Sequence, residues 1–136
     1  MAGAACQLGG RFSRCTEAPQ HRCQYCGRHF CARHSHYVEG YEAVCSRKRC
    51  VRKQEDLVVH LEYKRRVTSQ NRSAICGEEG CRAVRPAFQC SLCHGHFCPD
   101  HLRERMYRFS EGWVGIDRPV SICRHCWARR KIWRGR

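Results

Sequence analysis

The sequence has no run of apolar residues long enough to span a bilayer. The stretch after Met1, MAGAACQLGGRFSRC, is broken by glycines and arginines where a secretory signal carries its apolar core. These absences argue against a membrane partner and predict an intracellular, reducing compartment, cytoplasmic or nuclear, in which disulfides do not form. Carboxylates are scarce, with 12 Asp and Glu against 26 Lys and Arg. None pairs with His21, His29, His36, His60, His94, His96 or His125 in a pattern suited to acid–base chemistry, and no cysteine is left over once the thiols are paired. The expectation is a protein that is not an enzyme and has no small-molecule substrate. A chain of 136 residues also lacks the length for large cores in two modules, and modules of about 60 residues seldom bury enough apolar area to fold unaided.

Cysteine, by contrast, is abundant, with 14 residues. The segment Cys23 to His34, CQYCGRHFCARH, returns as Cys90 to His101, CSLCHGHFCPDH, each ligand-type position lying 67 residues from its counterpart. Both copies read C-x2-C-x4-C-x2-H, with Phe30 or Phe97 before the third cysteine. Two thiolates, then a thiolate and an imidazole, at two-residue gaps are what a tetrahedral Zn2+ site is built from, because a tight turn aims both side chains at one point. A disulfide framework has no use for a histidine at the fourth place of both copies.

The remaining cysteines extend each copy to four pairs. The first module offers Cys6 with Cys15, Cys23 with Cys26, Cys31 with His34, and Cys45 with Cys50. The second offers Cys76 with Cys81, Cys90 with Cys93, Cys98 with His101, and Cys123 with Cys126. Sixteen ligands suffice for four closed Zn2+ sites, which are structural because no coordination position remains for water or substrate. The four residues between Cys26 and Cys31 are too few for neighbouring pairs to close on one ion, so first should join third and second should join fourth, a cross-brace. For the first site, His21 or His36 stands as an alternative to Cys6.

Domain boundaries follow from the same pattern: a first module over 1–66, a polar linker VTSQNRSAI over 67–75, and a second module over 76–136. Residues 1–22 are glycine-rich and predicted irregular, serving to deliver Cys6 and Cys15. HYVEGYEAVC predicts a short hairpin turning at Glu39 and Gly40, and MYRFSEGWVGIDRPVSIC a parallel one turning at Glu111 and Gly112. Phe30 should pack beneath the metal sites, and Tyr37, Tyr41, Phe109 and Trp113 should belong to the small cores. From Ser46 to about Arg66 there is no Gly or Pro, and Val51, Leu57, Val58 and Leu61 fall on one side at helical spacing. A second helix begins near Cys126 and ends toward Gly135.

The order of the pairs, the x4 gap and the closing ICRHCW resemble cross-brace treble-clef fingers of the FYVE type, and the FC-x2-H element resembles the AN-one-type finger. The resemblance implies a small zinc-stabilised α+β fold of two tandem cross-brace treble-clef modules, each with zinc knuckles, a short β-hairpin and a C-terminal helix. It departs from the family where the first pairs are spaced x8 and x4, where Cys45 and Cys50 are spaced x4, and where His101 stands at a usual cysteine. A FYVE-like phosphoinositide reader needs a basic-histidine run before the second pair and an early Trp-x-x-Asp, and neither QHRC nor AFQC supplies them. RING fingers share the cross-brace but want an apolar residue where Gly77 follows Cys76.

The formal net charge is +14, which fourteen thiolates (−14) and four Zn2+ (+8) would bring to +8. Part of the basicity is therefore local compensation, as expected of Arg47, Lys48 and Arg49 between the ligands Cys45 and Cys50. The tail is the candidate nucleic-acid surface, with Arg129, Arg130, Lys131 and Arg134 beside Trp133, since cations with aromatics suit phosphate contact plus stacking. The expectation is a non-enzymatic zinc-binding adaptor for nucleic acid. The alternative is a protein–protein adaptor, including a RING-like role in the ubiquitin pathway.

Overall fold

In the computed structural model, residues 5–10 and 14–133 are described. Among these residues the architecture is small α+β: four two-stranded antiparallel ribbons and two helices. The chain divides into two compact units, residues 1–58 with 132–136, and residues 59–131. The first holds the first eight Cys and His positions of the repeat and the second holds the last eight. None of the described helices is long and apolar enough to cross a membrane.

The sequence repeat is a repeat of backbone. In the first unit β1 (His21–Arg22) pairs with β2 (His29–Phe30) across the Cys23–Arg28 knuckle, with His21 opposite Phe30. A 3-10 turn over Ala32–His34 leads to β3 (Ser35–His36), which pairs with β4 (Val44–Cys45). In the second unit β5 (Phe88–Gln89) pairs with β6 (His96–Phe97) in the same register, Phe88 opposite Phe97. A matching turn over Pro99–His101 leads to β7 (Leu102–Glu111) and its partner β8 (Val114–Cys123). Strands of two residues are held by the turns they flank rather than by their own ladders, since short two-stranded ribbons are marginal in water. The second ribbon is the departure. Nine residues lie between the paired Ser35 and Cys45, whereas twenty lie between Leu102 and Cys123.

The helices α1 (Lys48–Arg72) and α2 (Arg124–Trp133) each begin between the last two cysteines of a module and carry the final one, Cys50 or Cys126, near their start. Residues 67–72, expected as polar linker, continue α1. Val67 is 4% exposed and packs with Phe97 in the second core. Gln70 Nε2 donates to the carbonyl of Cys76 at 2.8 Å, and the Asn71 amide exchanges hydrogen bonds with the backbone of His96, 2.9 Å each way. Such contacts outweigh a polar composition that by itself reads as loop. The helix stops in a Schellman motif, with the Ile75 amide donating to Gln70, the Ala74 amide donating to Asn71, and Ala74 left-handed at φ 56°.

Two small cores result, both dense in cysteine. Phe30 lies fully buried with Leu8, Val44 and the cysteines of the first unit, and Phe97 with Val67, Val120 and Ile122 in the second. Leu8 shows that the glycine-rich start has a packed role beyond delivering ligands. The expected core aromatics divide: Phe109 is half-buried against the second core, whereas Tyr37 is 66% and Trp113 is 99% exposed. Both exposed residues lie in hairpin connections, Tyr37 between β3 and β4 and Trp113 between β7 and β8.

At Gly95 a Cβ would stand 2.5 Å from Val67 Cγ1 and 3.1 Å from the Phe97 ring. Overpacking at such a contact costs about 1 to 3 kcal/mol. Gly95→Ala should therefore lower the denaturation midpoint of the second unit. In the double variant with Val67→Ala the cost should be less than the sum of the two single changes, as a double-mutant cycle by chemical denaturation would show.

Candidate metal centres

The sixteen Cys and His positions come together in four clusters: Cys6, Cys15, Cys31 and His34; Cys23, Cys26, Cys45 and Cys50; Cys76, Cys81, Cys98 and His101; and Cys90, Cys93, Cys123 and Cys126. In each unit the first pair meets the third and the second meets the fourth. Within each cluster the ligand atoms all lie within 4.8 Å of one another. Local geometry produces this. The knuckle is closed by the Gly27 amide donating to the Cys23 carbonyl at 2.8 Å, and by the His94 amide donating to Cys90 at 3.0 Å in the second copy. Gly27 sits at φ 74° and His94 at φ 61°, so one corner is turned by glycine and the other by a residue for which it is strained.

Spacing within the clusters fits a tetrahedral ion. Sulfurs about 2.3 Å from a common centre at tetrahedral angles stand about 3.8 Å apart, and sulfur and imidazole nitrogen about 3.5 Å apart. Cys15 and Cys31 sulfurs are 3.8 Å apart, Cys26 and Cys45 3.7 Å, Cys81 and Cys98 3.9 Å, and Cys93 and Cys123 3.9 Å. His34 Nδ1 is 3.5 Å from Cys6 and 3.3 Å from Cys31, and His101 Nδ1 is 3.7 Å from Cys76 and 3.2 Å from Cys98. All fourteen cysteines are unbridged, and the donor sets, three thiols with one imidazole or four thiols, are consistent with zinc.

Electrostatics favour the thiolate at some of these points and oppose it at others: burial pushes the Cys45 and Cys50 thiols up, whereas Cys23 and Cys31 are brought down. Backbone amides of Cys31, Cys98, Cys123 and Cys126 approach the sulfurs of Cys6, Cys76, Cys90 and Cys123 at 3.3 to 3.5 Å. Burial pushes the Cys31 thiol up, but hydrogen bonds with the His34 ring and backbone bring it down to about 6. Burial likewise opposes ionisation of Cys23, and the backbone amides of Cys45, Cys26 and Tyr25 bring it to about 7. Cys90 is held far below the ordinary thiol range by hydrogen bonds from Cys123, Cys126 and Cys93, while the contact with Cys123 pushes Cys126 far above it. Sulfurs this close share protons unevenly; a bound dication would displace those protons and offset two of the four thiolate charges.

Several supporting residues are invisible in the ligand pattern. The Tyr63 hydroxyl donates to the Cys123 sulfur at 3.2 Å, and burial followed by that bond pushes its own ionisation far up. Its ring stacks on His125 at 3.8 Å, and His125 Nε2 lies 3.0 Å from His60 Nδ1. In the first unit Gln54, fully buried, accepts from the Tyr25 hydroxyl at 2.9 Å and donates to the Glu42 carbonyl at 3.0 Å. Helical spacing places such residues on the inner face, but only the packed structure reveals what they touch.

Other residues singled out from the sequence lie elsewhere. His21 packs against Phe30 at 5.8 Å between ring centroids, and His36 Nε2 lies 3.9 Å from Glu55 Oε1, so neither joins the Cys6 cluster. Arg47, Lys48 and Arg49 place no side chain in a hydrogen bond or ion pair among the described residues; the Arg47 backbone, not its guanidinium, bonds the Cys45 thiol. Of the basic tail, Arg130 donates to its own helix at the Trp127 carbonyl, 2.7 Å, and stacks over the Trp127 ring at 3.6 Å. Trp133 donates to Asp56 and meets Tyr25 edge-on at 5.6 Å. Arg129 is half-buried and Lys131 exposed, while Arg134 lies outside the described residues.

His101→Ala should release the metal from its cluster and unfold the second unit, whereas His96→Ala, whose ring is outside every cluster, should retain it; metal analysis with circular dichroism separates them. Tyr63→Phe should keep the fold and lose metal to a chelator faster, since a hydrogen bond to a charged group contributes about 1.5 to 3 kcal/mol. No protein-family model, no curated protein and no solved structure matches the chain.

Proposed function

We propose that each cluster is a closed structural Zn2+ site and that the chain is a non-enzymatic adaptor made of two tandem cross-brace treble-clef fingers, resembling FYVE-type and AN-one-type fingers. The observation that carries this reading is the completeness of the clusters, four ligands in each, with first and third pairs interleaved with second and fourth. A site with four protein ligands has no open position for substrate, and all fourteen thiols are taken up by the clusters. Such a protein works through its surface, in an intracellular compartment that keeps thiols reduced.

Nucleic acid is the partner the charge favours, since a fully loaded chain still carries a formal +8. The ribbon β7–β8 favours a second reading, a protein partner. Its tip exposes Trp113 almost completely and Val114 by 61%, while the pairs Arg108 with Asp117 and Arg118 with Glu111 neutralise the charges behind them.

Purified chain should contain close to four zinc ions and lose its circular dichroism when they are stripped, because structural zinc contributes about 10 to 16 kcal/mol in finger peptides. One ion or fewer, or an unchanged spectrum after chelation, contradicts the reading. Labelled DNA or RNA should bind with an affinity that falls as salt rises. If no nucleic acid binds at moderate ionic strength, the protein reading leads, and Trp113→Ala becomes the variant that should abolish partner capture.

A further inference from the structure

The second unit carries a basic groove that the tail hypothesis overlooks. Two adjoining hollows, of about 330 and 460 Å3, share Lys64, Thr68 and Arg72, one of them reaching the second knuckle at His94 and His96 and the other reaching Arg65. The shared residues recur every fourth position of α1, so the cationic row is about 12 Å long at 1.5 Å per residue. No acidic residue lines either hollow, and Lys64, Arg65 and Arg72 enter no ion pair among the described residues. The neighbouring Arg66, outside the groove, is paired with Glu79 at 3.3 Å.

The knuckle supplies an independent sign. His94 holds a left-handed backbone, φ 61°, at the position where the first copy has Gly27. The first copy turns the same corner with a glycine, whereas the second places an imidazole there, and that imidazole lines the groove.

We propose that this groove, between the C-terminal half of α1 and the second knuckle, is the surface that grips a nucleic-acid phosphodiester backbone. The proposal rests on the nucleic-acid reading above and moves the contact from the tail to the groove. A lysine point charge, an arginine fork and the hydroxyls of Thr68 and Ser69 are donors of the kind that phosphates accept. A membrane is disfavoured because the large exposed apolar residues, Trp113, Met106, Val114, Tyr37 and others, all lie outside the groove lining. The tail fits less well, because Arg130 and Trp133 are occupied by Trp127 and by Asp56 with Tyr25.

The test is fluorescence anisotropy of zinc-loaded full-length chain with a labelled mixed-sequence oligonucleotide, single-stranded and duplex, over a salt series. Lys64→Gln, Arg65→Gln and Arg72→Gln combined should keep the full zinc content and flatten the log-log salt slope, by up to about 0.9 per lost duplex contact or about 0.7 on a single strand. His94→Gly, which restores the backbone choice of the first knuckle, should weaken binding several-fold without releasing metal. Arg129→Gln, Arg130→Gln and Lys131→Gln combined should leave the slope nearly unchanged. Wild-type binding that survives the groove variants but is lost in the tail variant overturns the groove and leaves the nucleic-acid reading standing. Absence of salt-dependent binding by wild type overturns both, and preferential capture by anionic vesicles or an acidic peptide over the oligonucleotide overturns the assigned partner.

Discussion

Convergence of four sulfur or nitrogen donors on a point is the constraint from which the rest of this structure follows. Each unit does it twice, and because first and third pairs alternate with second and fourth along the chain, each cluster closes a loop that contains one pair of the other. Loop closure of that kind replaces a large hydrophobic core. The apolar contribution is small, one buried phenylalanine and a few aliphatic residues in each unit, and several of the buried positions are themselves cysteines. The two-residue strands and 3-10 turns lie between the donors that each cluster gathers, and an ion bound there would pin both their ends.

Within this shared frame the two copies have separated where the donors do not constrain them. The knuckles, the register of β1–β2 and β5–β6, and the turns that deliver His34 and His101 coincide. The ribbon after the histidine does not: it stays short in the first copy and extends to ten residues per strand in the second. It meets the core through Leu102, Val120, Ile122 and Cys123 at its base and through Tyr107 and Phe109 further out. Trp113, at the tip between the two strands, is left in water. The left-handed corner of the knuckle is glycine in one copy and histidine in the other, a second divergence between them.

Polar residues on the inner face of α1 link the helix to the clusters. Gln54 satisfies a tyrosine hydroxyl and a carbonyl in the first unit, and Tyr63, Gln70 and Asn71 bond to a sulfur and to backbone groups in the second. Buried polar groups are costly unless paired, so these bonds position the helix more narrowly than aliphatic contacts of similar area would. They also leave Lys64, Thr68 and Arg72 together on an outward row.

The grouping of donors into pairs was legible in the sequence, because a two-residue gap dictates a tight turn and a repeated x4 gap dictates which pairs can share an ion. So were the two helices, from uninterrupted runs without Gly or Pro, and the turns at Gly40 and Gly112, from their neighbours. The end of α1 was not: VTSQNR is polar, and only the hollow formed by Gly77, Gly95 and Phe97, into which Val67 fits, makes a helix of it. Nor was the exposure of Tyr37 and Trp113, since an aromatic residue in a small module reads as core until the strands are seen to run past it. Local spacing determines what a chain can coordinate, because ligand geometry is set within a few bonds of the backbone. Which cations stand together and which aromatics remain in water depends on contacts between residues distant in sequence, and only the tertiary structure decided those.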